Sequence, residues 1–220
     1  MNKLTLDWDA DVQGEVVLHP LKGYKCYETH RWERFDLPVW SNLGDADEKH
    51  DAVRAIDVCR LVAKRLPKLD EVIEYDWGSS REHPMENVEG FGFDRTFAAV
   101  VHVSDAHARR DDSELDHVDF WLHPRSHEFR DLWLSVVRDL STIPLLVESN
   151  CVGAQCLIDD HKNVERIWDA LVDDGSELEE KGRDARAKAR GALSMLPNSA
   201  FLTDTCLALR ASSGAAKRER

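Results

Sequence analysis

No apolar run in this 220-residue chain approaches the roughly 18 residues that a membrane-spanning helix needs. The first residues, Met-Asn-Lys-Leu-Thr-Leu-Asp, turn acidic where a secretory signal would be apolar. A cytoplasmic, non-membrane protein is the expectation. Cysteine is scarce and odd in number: of five, only Cys151 and Cys156 lie close, at a spacing that suits neither a redox Cys-x-x-Cys pair nor a zinc knuckle. Buried free thiols in a reducing compartment are expected, not a disulfide framework. Catalytic signatures are missing as well. There is no Gly-x-Ser-x-Gly elbow and no phosphate loop with a Walker lysine, and Gly90-Phe-Gly92 lacks the third glycine and the helix of a dinucleotide site. No cofactor is therefore expected.

Positive charge is the other shortage. Lys and Arg number 29 against 42 Asp and Glu, a formal charge of −13. The deficit is uneven, because residues 181–220 carry nine basic and three acidic side chains, which leaves −19 on the first 180 residues. So acidic a body repels nucleic-acid phosphates and attracts basic proteins. What the chain has in quantity is apolar surface: 42% hydrophobic residues and seven Trp suffice for one ordinary core.

Hydrophobic periodicity predicts an α+β fold, with a mixed β-sheet, helices packed on it, an N-terminal hairpin or meander and a C-terminal helical segment. Alternation at Leu4, Leu6 and Trp8, and again over residues 15–19, reads as an antiparallel hairpin; a third strand and an extended segment follow between Tyr24 and Trp40. Asp45-x-x-Glu48 is a capping-box variant for a helix whose stripe is Val53, Ile56, Cys59, Ala63 and Leu66. Strands are predicted over 72–77, 96–103 and 118–122, with a polar loop over 104–116. Ser126 caps a helix striped by Phe129, Leu132, Trp133, Val136, Val137 and Leu140; a strand over 143–148 and a helix after Asp160 complete the body. This strand-helix-strand succession implies a right-handed parallel crossover. Residues 1–175 are read as one domain, with 77–95 a long loop or a weak boundary, and 176–220 as a charged helix with a basic, partly frayed tail.

Two clusters carry ligand chemistry. In Ala98-Ala-Val-Val-His-Val-Ser-Asp-Ala-His107, Asp105 and His107 follow a hydrophobic strand and place a carboxylate and an imidazole within reach of one metal ion, with His102 as a further ligand. The run resembles the first motif of calcineurin-like metallophosphoesterases, a strand followed by Asp-x-His, and that resemblance implies metal-dependent hydrolysis. It is confined to residues 98–107. The Gly-Asp-x-x-Asp, Gly-Asn-His and Gly-His-x-His motifs of that family do not follow. In the second cluster, His117, Asp119 and His123 share one strand face by parity, with His127 beyond them. Glu15-Val-Val-Leu-His-Pro and Asp119-Phe-Trp-Leu-His-Pro also echo one another, a six-residue match read as coincidence.

The favoured reading is a non-catalytic acidic protein-binding module. It would neutralise a basic partner such as a nuclease or nucleic-acid-binding enzyme, in the manner of immunity proteins, antitoxins and phage anti-defence inhibitors. Its partner-binding residues are expected on the long loop and the opposing polar loop: Trp77, Phe91, Phe93, Asp111, Asp112 and Glu114. One alternative is a metal-dependent hydrolase using His102, Asp105 and His107, or the cluster at 117–127. Another is a structural component, such as a homodimer, with no tight heterologous partner.

Overall fold

In a computed structural model of the protein, the residues described are 3–6, 14–43, 50–76, 81–93, 97–104, 113–122 and 129–173, all within one unit, Met1–Glu177. Among them the strands are β1 (Lys3–Leu6), β2 (Gly14–Pro20), β3 (Tyr24–Trp32), β4 (Leu37–Asn42), β5 (Glu71–Asp76), β6 (Arg81–Pro84), β7 (Val88–Phe93), β8 (Phe97–Val103), β9 (Leu115–Leu122), β10 (Leu145–Ser149) and β11 (Ala154–Leu157). The helices are α1 (Ala55–Val62), α2 (Arg130–Leu140) and α3 (161–173). No helix among the described residues is long and apolar enough to cross a membrane.

Six strands form the main sheet in the order β11-β10-β2-β9-β8-β7, every neighbouring pair antiparallel. A small sheet, β1-β5-β6, has its parallel pair at β1 and β5, and β3 with β4 forms a separate hairpin. The α+β class with mixed sheets is as predicted. Because successive residues of a strand face opposite ways, the register sorts the main sheet into two surfaces. Val16, Leu18, Phe97, Ala99, Val101, Val118, Phe120, Leu145 and Val147 form one, buried with Val58 and Val62 of α1, Trp133, Val136 and Val137 of α2 and Val164, Ile167 and Trp168 of α3. Stacked Trp133 and Trp168, with ring centroids 5.4 Å apart, join α2 to α3. On the opposite surface, Ala98, Val100 and Trp121 are covered by Leu4 and Leu6 of β1, Leu69, and Val72 of β5.

Several sequence expectations are corrected. β1 and β2 do not form a hairpin: β1 pairs in parallel with β5, and β2 lies between β9 and β10. Alternation gives each strand an apolar face but no partner, and the apolar face of β1 serves as a lid over Trp121. The N-terminal hairpin is instead β3–β4. β9 and β10 do run parallel, each being antiparallel to β2, yet β2 separates them. Helix α1 starts only at Ala55, capped by no side chain. The segment just before it is held against the start of β9 with Arg54 extended: Leu115 N–H donates to Val53 O at 2.7 Å and Ala55 N–H to Ser113 O at 2.9 Å. The proposed Asp45-x-x-Glu48 cap lies outside the described residues, as do Ser126 and the helix and tail expected over 176–220.

The stretch 77–95 is not one loop, for residues 81–84 and 88–93 are β6 and β7. Its glycines mark close packing within a strand: a Cβ on Gly90 would collide with Val72 of the small sheet, and Gly92 adopts φ of 143°. α3 follows Asp160 as predicted, with Asp160 Oδ1 accepting from Asn163 N–H at 3.3 Å. Cys26, Cys59 and Cys156 are free thiols; Cys156 is buried whereas Cys151 is exposed, and burial pushes the Cys59 thiol up to about 11.

Candidate functional site

On the surface of the main sheet away from the helices, the small sheet covers one apolar end. Beyond it polar side chains recur across five strands, and the register dictates which of them meet. His102 of β8 lies opposite His117 of β9, and Val17 of β2 lies opposite both Asp119 of β9 and Glu148 of β10. Glu148 in turn faces Gln155 of β11. His19, two residues beyond Val17, points to the same side.

Asp119 is the centre of one group. Its side chain is 5% exposed, and one oxygen, Oδ2, lies 2.9 Å from His102 Nε2 and 3.4 Å from His117 Nε2. The two rings are stacked, 4.1 Å apart and 14° from parallel. On the far side of its ring, His117 Nδ1 meets Asp116 Oδ2 at 3.0 Å. Burial alone would raise the Asp119 carboxyl, but contact with His102 and His117 outweighs it and holds the group at about 2. Burial works the other way on His117, where Asp119 and Asp116 outweigh it and raise the imidazole above its ordinary value. His102 Nε2 is buried near Asp119 without a well-directed hydrogen bond. His102, His117 and Asp119 offer ligand atoms that all lie within 4.8 Å of one another.

His19 begins the second group. Its ring lies 6.2 Å from that of His117 and 5.4 Å from Tyr24, with Nε2 3.6 Å from Glu148 Oε2. Burial lowers its pKa, Glu148 partly opposes this, and His117 adds to the lowering. Glu148 is fixed by buried Gln155, whose amide has only one workable orientation. Oε1 accepts from the backbone N–H of Trp40 at 2.7 Å and from Trp32 Nε1–H at 3.2 Å, so Nε2 must face Glu148, to which it donates at 2.8 Å. The amide thereby ties the β3–β4 hairpin to the sheet.

An open cleft of about 260 Å³ borders these groups. His19, Tyr24 and Asn42 line one part of it, Ser104, Glu114 and Asp116 another, and Lys22 reaches Glu114 at 3.3 Å.

Of the residues singled out from sequence, Glu114 stands on the cleft wall and is exposed. Phe93 is 41% exposed and stacks on Phe129 at 6.2 Å. The two are not brought together: Phe93 pairs with Phe97 at the start of β8, whereas Glu114 O accepts from Ser104 N–H just past its end. Phe91 of β7 is 3% exposed and packs in the core. Trp77, Asp111, Asp112, Asp105, His107, His123 and His127 lie outside the described residues. His117 and Asp119 share a face as parity predicted, and His102 joins them. The sequence alone points His102 to Asp105 and His107 downstream, because the β8–β9 register is not written in either strand. No local motif marks Glu148 or Gln155. The only signal for His19 was the Leu-His-Pro echo that sets His19 and His123 at strand ends.

Compared with known proteins, the chain has no significant match to a family model, a curated protein or a solved structure.

Proposed function

We propose that the protein is a non-catalytic module that binds a basic protein, and that the cleft receives a lysine or arginine side chain of that partner. The observation that carries this reading is the pair of exposed carboxylates, Glu114 and Asp116, on the walls of an open cleft in a chain of net charge −13. The hydroxyl of Tyr24, the amide of Asn42 and the hydroxyl of Ser104 add acceptors beside them. At about 260 Å³ the cleft falls below the roughly 300–1,000 Å³ of small-molecule sites, which favours one side chain over a whole substrate. Lys22, exposed and bound to Glu114, is the cation an incoming side chain would displace. Inhibition of a nuclease or nucleic-acid-binding enzyme fits this chemistry, because such enzymes present the cationic surface that an acidic body seeks.

The test compares the wild-type chain with the Glu114→Lys/Asp116→Lys double variant as bait in extract of the source cells, read by mass spectrometry. A partner of basic isoelectric point should be retained by the wild type, lost by the double variant and eluted by salt. If both baits retain the same proteins, the cleft is not the binding site and the reading fails. A second reading, a metal-dependent hydrolase, is favoured by the convergence of His102, His117 and Asp119. It requires first that the cluster bind a metal.

A further inference from the structure

Partner binding at the cleft gives no reason for the group around Asp119. A carboxylate 5% exposed and two half-buried imidazoles lose hydration that apolar side chains of the same volume would not. Their strand neighbours on the same face, Val100 and Trp121, show that this surface accepts apolar residues readily. The three ligand atoms converge within 4.8 Å, and two imidazole nitrogens with one carboxylate oxygen make a donor set suited to zinc or a similar first-row divalent ion. Asp116 supplies a further feature of such sites. By accepting from Nδ1–H of His117 at 3.0 Å, it favours the tautomer whose Nε2, on the Asp119 side, offers its lone pair to a metal ion. His102 contributes a buried Nε2 that no well-directed hydrogen bond occupies.

We infer that His102 Nε2, His117 Nε2 and a carboxylate oxygen of Asp119 form a binding site for one divalent transition-metal ion, with Asp116 as a positioning residue for His117. Three protein ligands leave coordination positions for water or another group, unlike a closed four-ligand structural site. Binding turns the two rings out of their near-parallel stack, since their nitrogens must aim at one point, and it parts Asp119 from its direct contact with His102. The site shares Asp116 with the cleft but not Glu114, so Glu114→Lys alone separates the two readings: it alters the cleft and leaves the three ligands in place.

The experiment strips the full chain with a chelator, removes the chelator, and titrates zinc by calorimetry and cobalt(II) by visible absorption. One ion per chain is expected, with ligand-field bands of a nitrogen- and oxygen-bound cobalt centre. His102→Gln and His117→Gln, checked for folding by circular dichroism, should each weaken zinc by about 100-fold or more, and Asp116→Asn by about 10–100-fold. Asp116 is largely exposed, so its variant keeps the test decisive even if the histidine variants fail to fold. A wild-type chain that takes up no ion overturns the inference. So does uptake that survives unweakened in the folded histidine variants or in Asp116→Asn.

Discussion

Asp119 and His117 each stabilise the metal-free protein while both are ionised, because each is held ionised by the other, and the contribution is lost at opposite ends of the pH range. The carboxyl sits at about 2, below the roughly 3.9 of an unfolded aspartate, so its contribution is fully present above pH 4 and is lost as pH falls through 2. Integrated over that window it amounts to about 2–3 kcal/mol. The imidazole of His117 is raised above its ordinary value, so its contribution is complete below that value and disappears as pH rises through the raised one. Urea midpoints of metal-free protein across pH should therefore fall on both limbs. In Asp119→Asn both limbs should flatten, since the raised pKa of His117 depends chiefly on Asp119 among its partners. An unchanged profile in that variant would mean that the three groups do not share protons. Half of this group was legible in the sequence: parity alone set His117 beside Asp119. His102 was visible as a residue but not as their neighbour, because strand register arises from packing between elements distant in the chain. Gln155 was illegible for a related reason, since nothing local distinguishes a buried amide that clamps two tryptophans from an exposed one.

Strand β7 illustrates how an element can hide. Val88–Phe93 has two glycines in six residues, a composition that reads as a loop, yet Gly90 makes room for the small sheet and Gly92, at φ of 143°, lies against the β8 backbone at Phe97 and Ala98. Gly90 faces the small sheet, and a methyl group there would run into Val72 and press on Leu69. Gly90→Ala should therefore cost about 1–3 kcal/mol, visible as a lower denaturation midpoint with an unchanged slope. A variant as stable as the wild type would show that Val72 can move aside at no cost. Helices α2 and α3 were legible because their apolar stripes are long and regular, and the core confirms the stripe of α2 at Trp133, Val136, Val137 and Leu140. The start of α1 was not, because Val53 continues the helical stripe by coincidence while its carbonyl is pledged to Leu115. Strand partners were the least legible elements of all, as β1 and β2 show by entering different sheets.

Over the whole molecule, charge is the dominant property. With −13 overall, acidic groups repel one another on the folded surface at low ionic strength. Several are tied locally, Asp139 to Arg65 at 2.7 Å and Asp169 to Arg130 at 2.8 Å, but these pairs are exposed and each contributes little. The melting temperature should rise by a few degrees between about 10 and 150 mM salt, as the Debye length shortens from about 30 to 8 Å. A fall over that range would mean that favourable ion pairs outweigh the repulsion.

The central position of β2 bears on how the chain acquires this structure. Val16 pairs with Phe120 and Val17 with both Asp119 and Glu148, so a strand made early in synthesis has neighbours made much later. Until β10 has been made, one edge of β2 lacks its partner, and no local contact can substitute. Closing such long loops before the contacts reward it makes folding slow and strongly topology-limited. The same arrangement makes the sheet indivisible: a chain ending before Leu145 loses β10 and β11 together, and with them the Glu148 and Gln155 that anchor the β3–β4 hairpin.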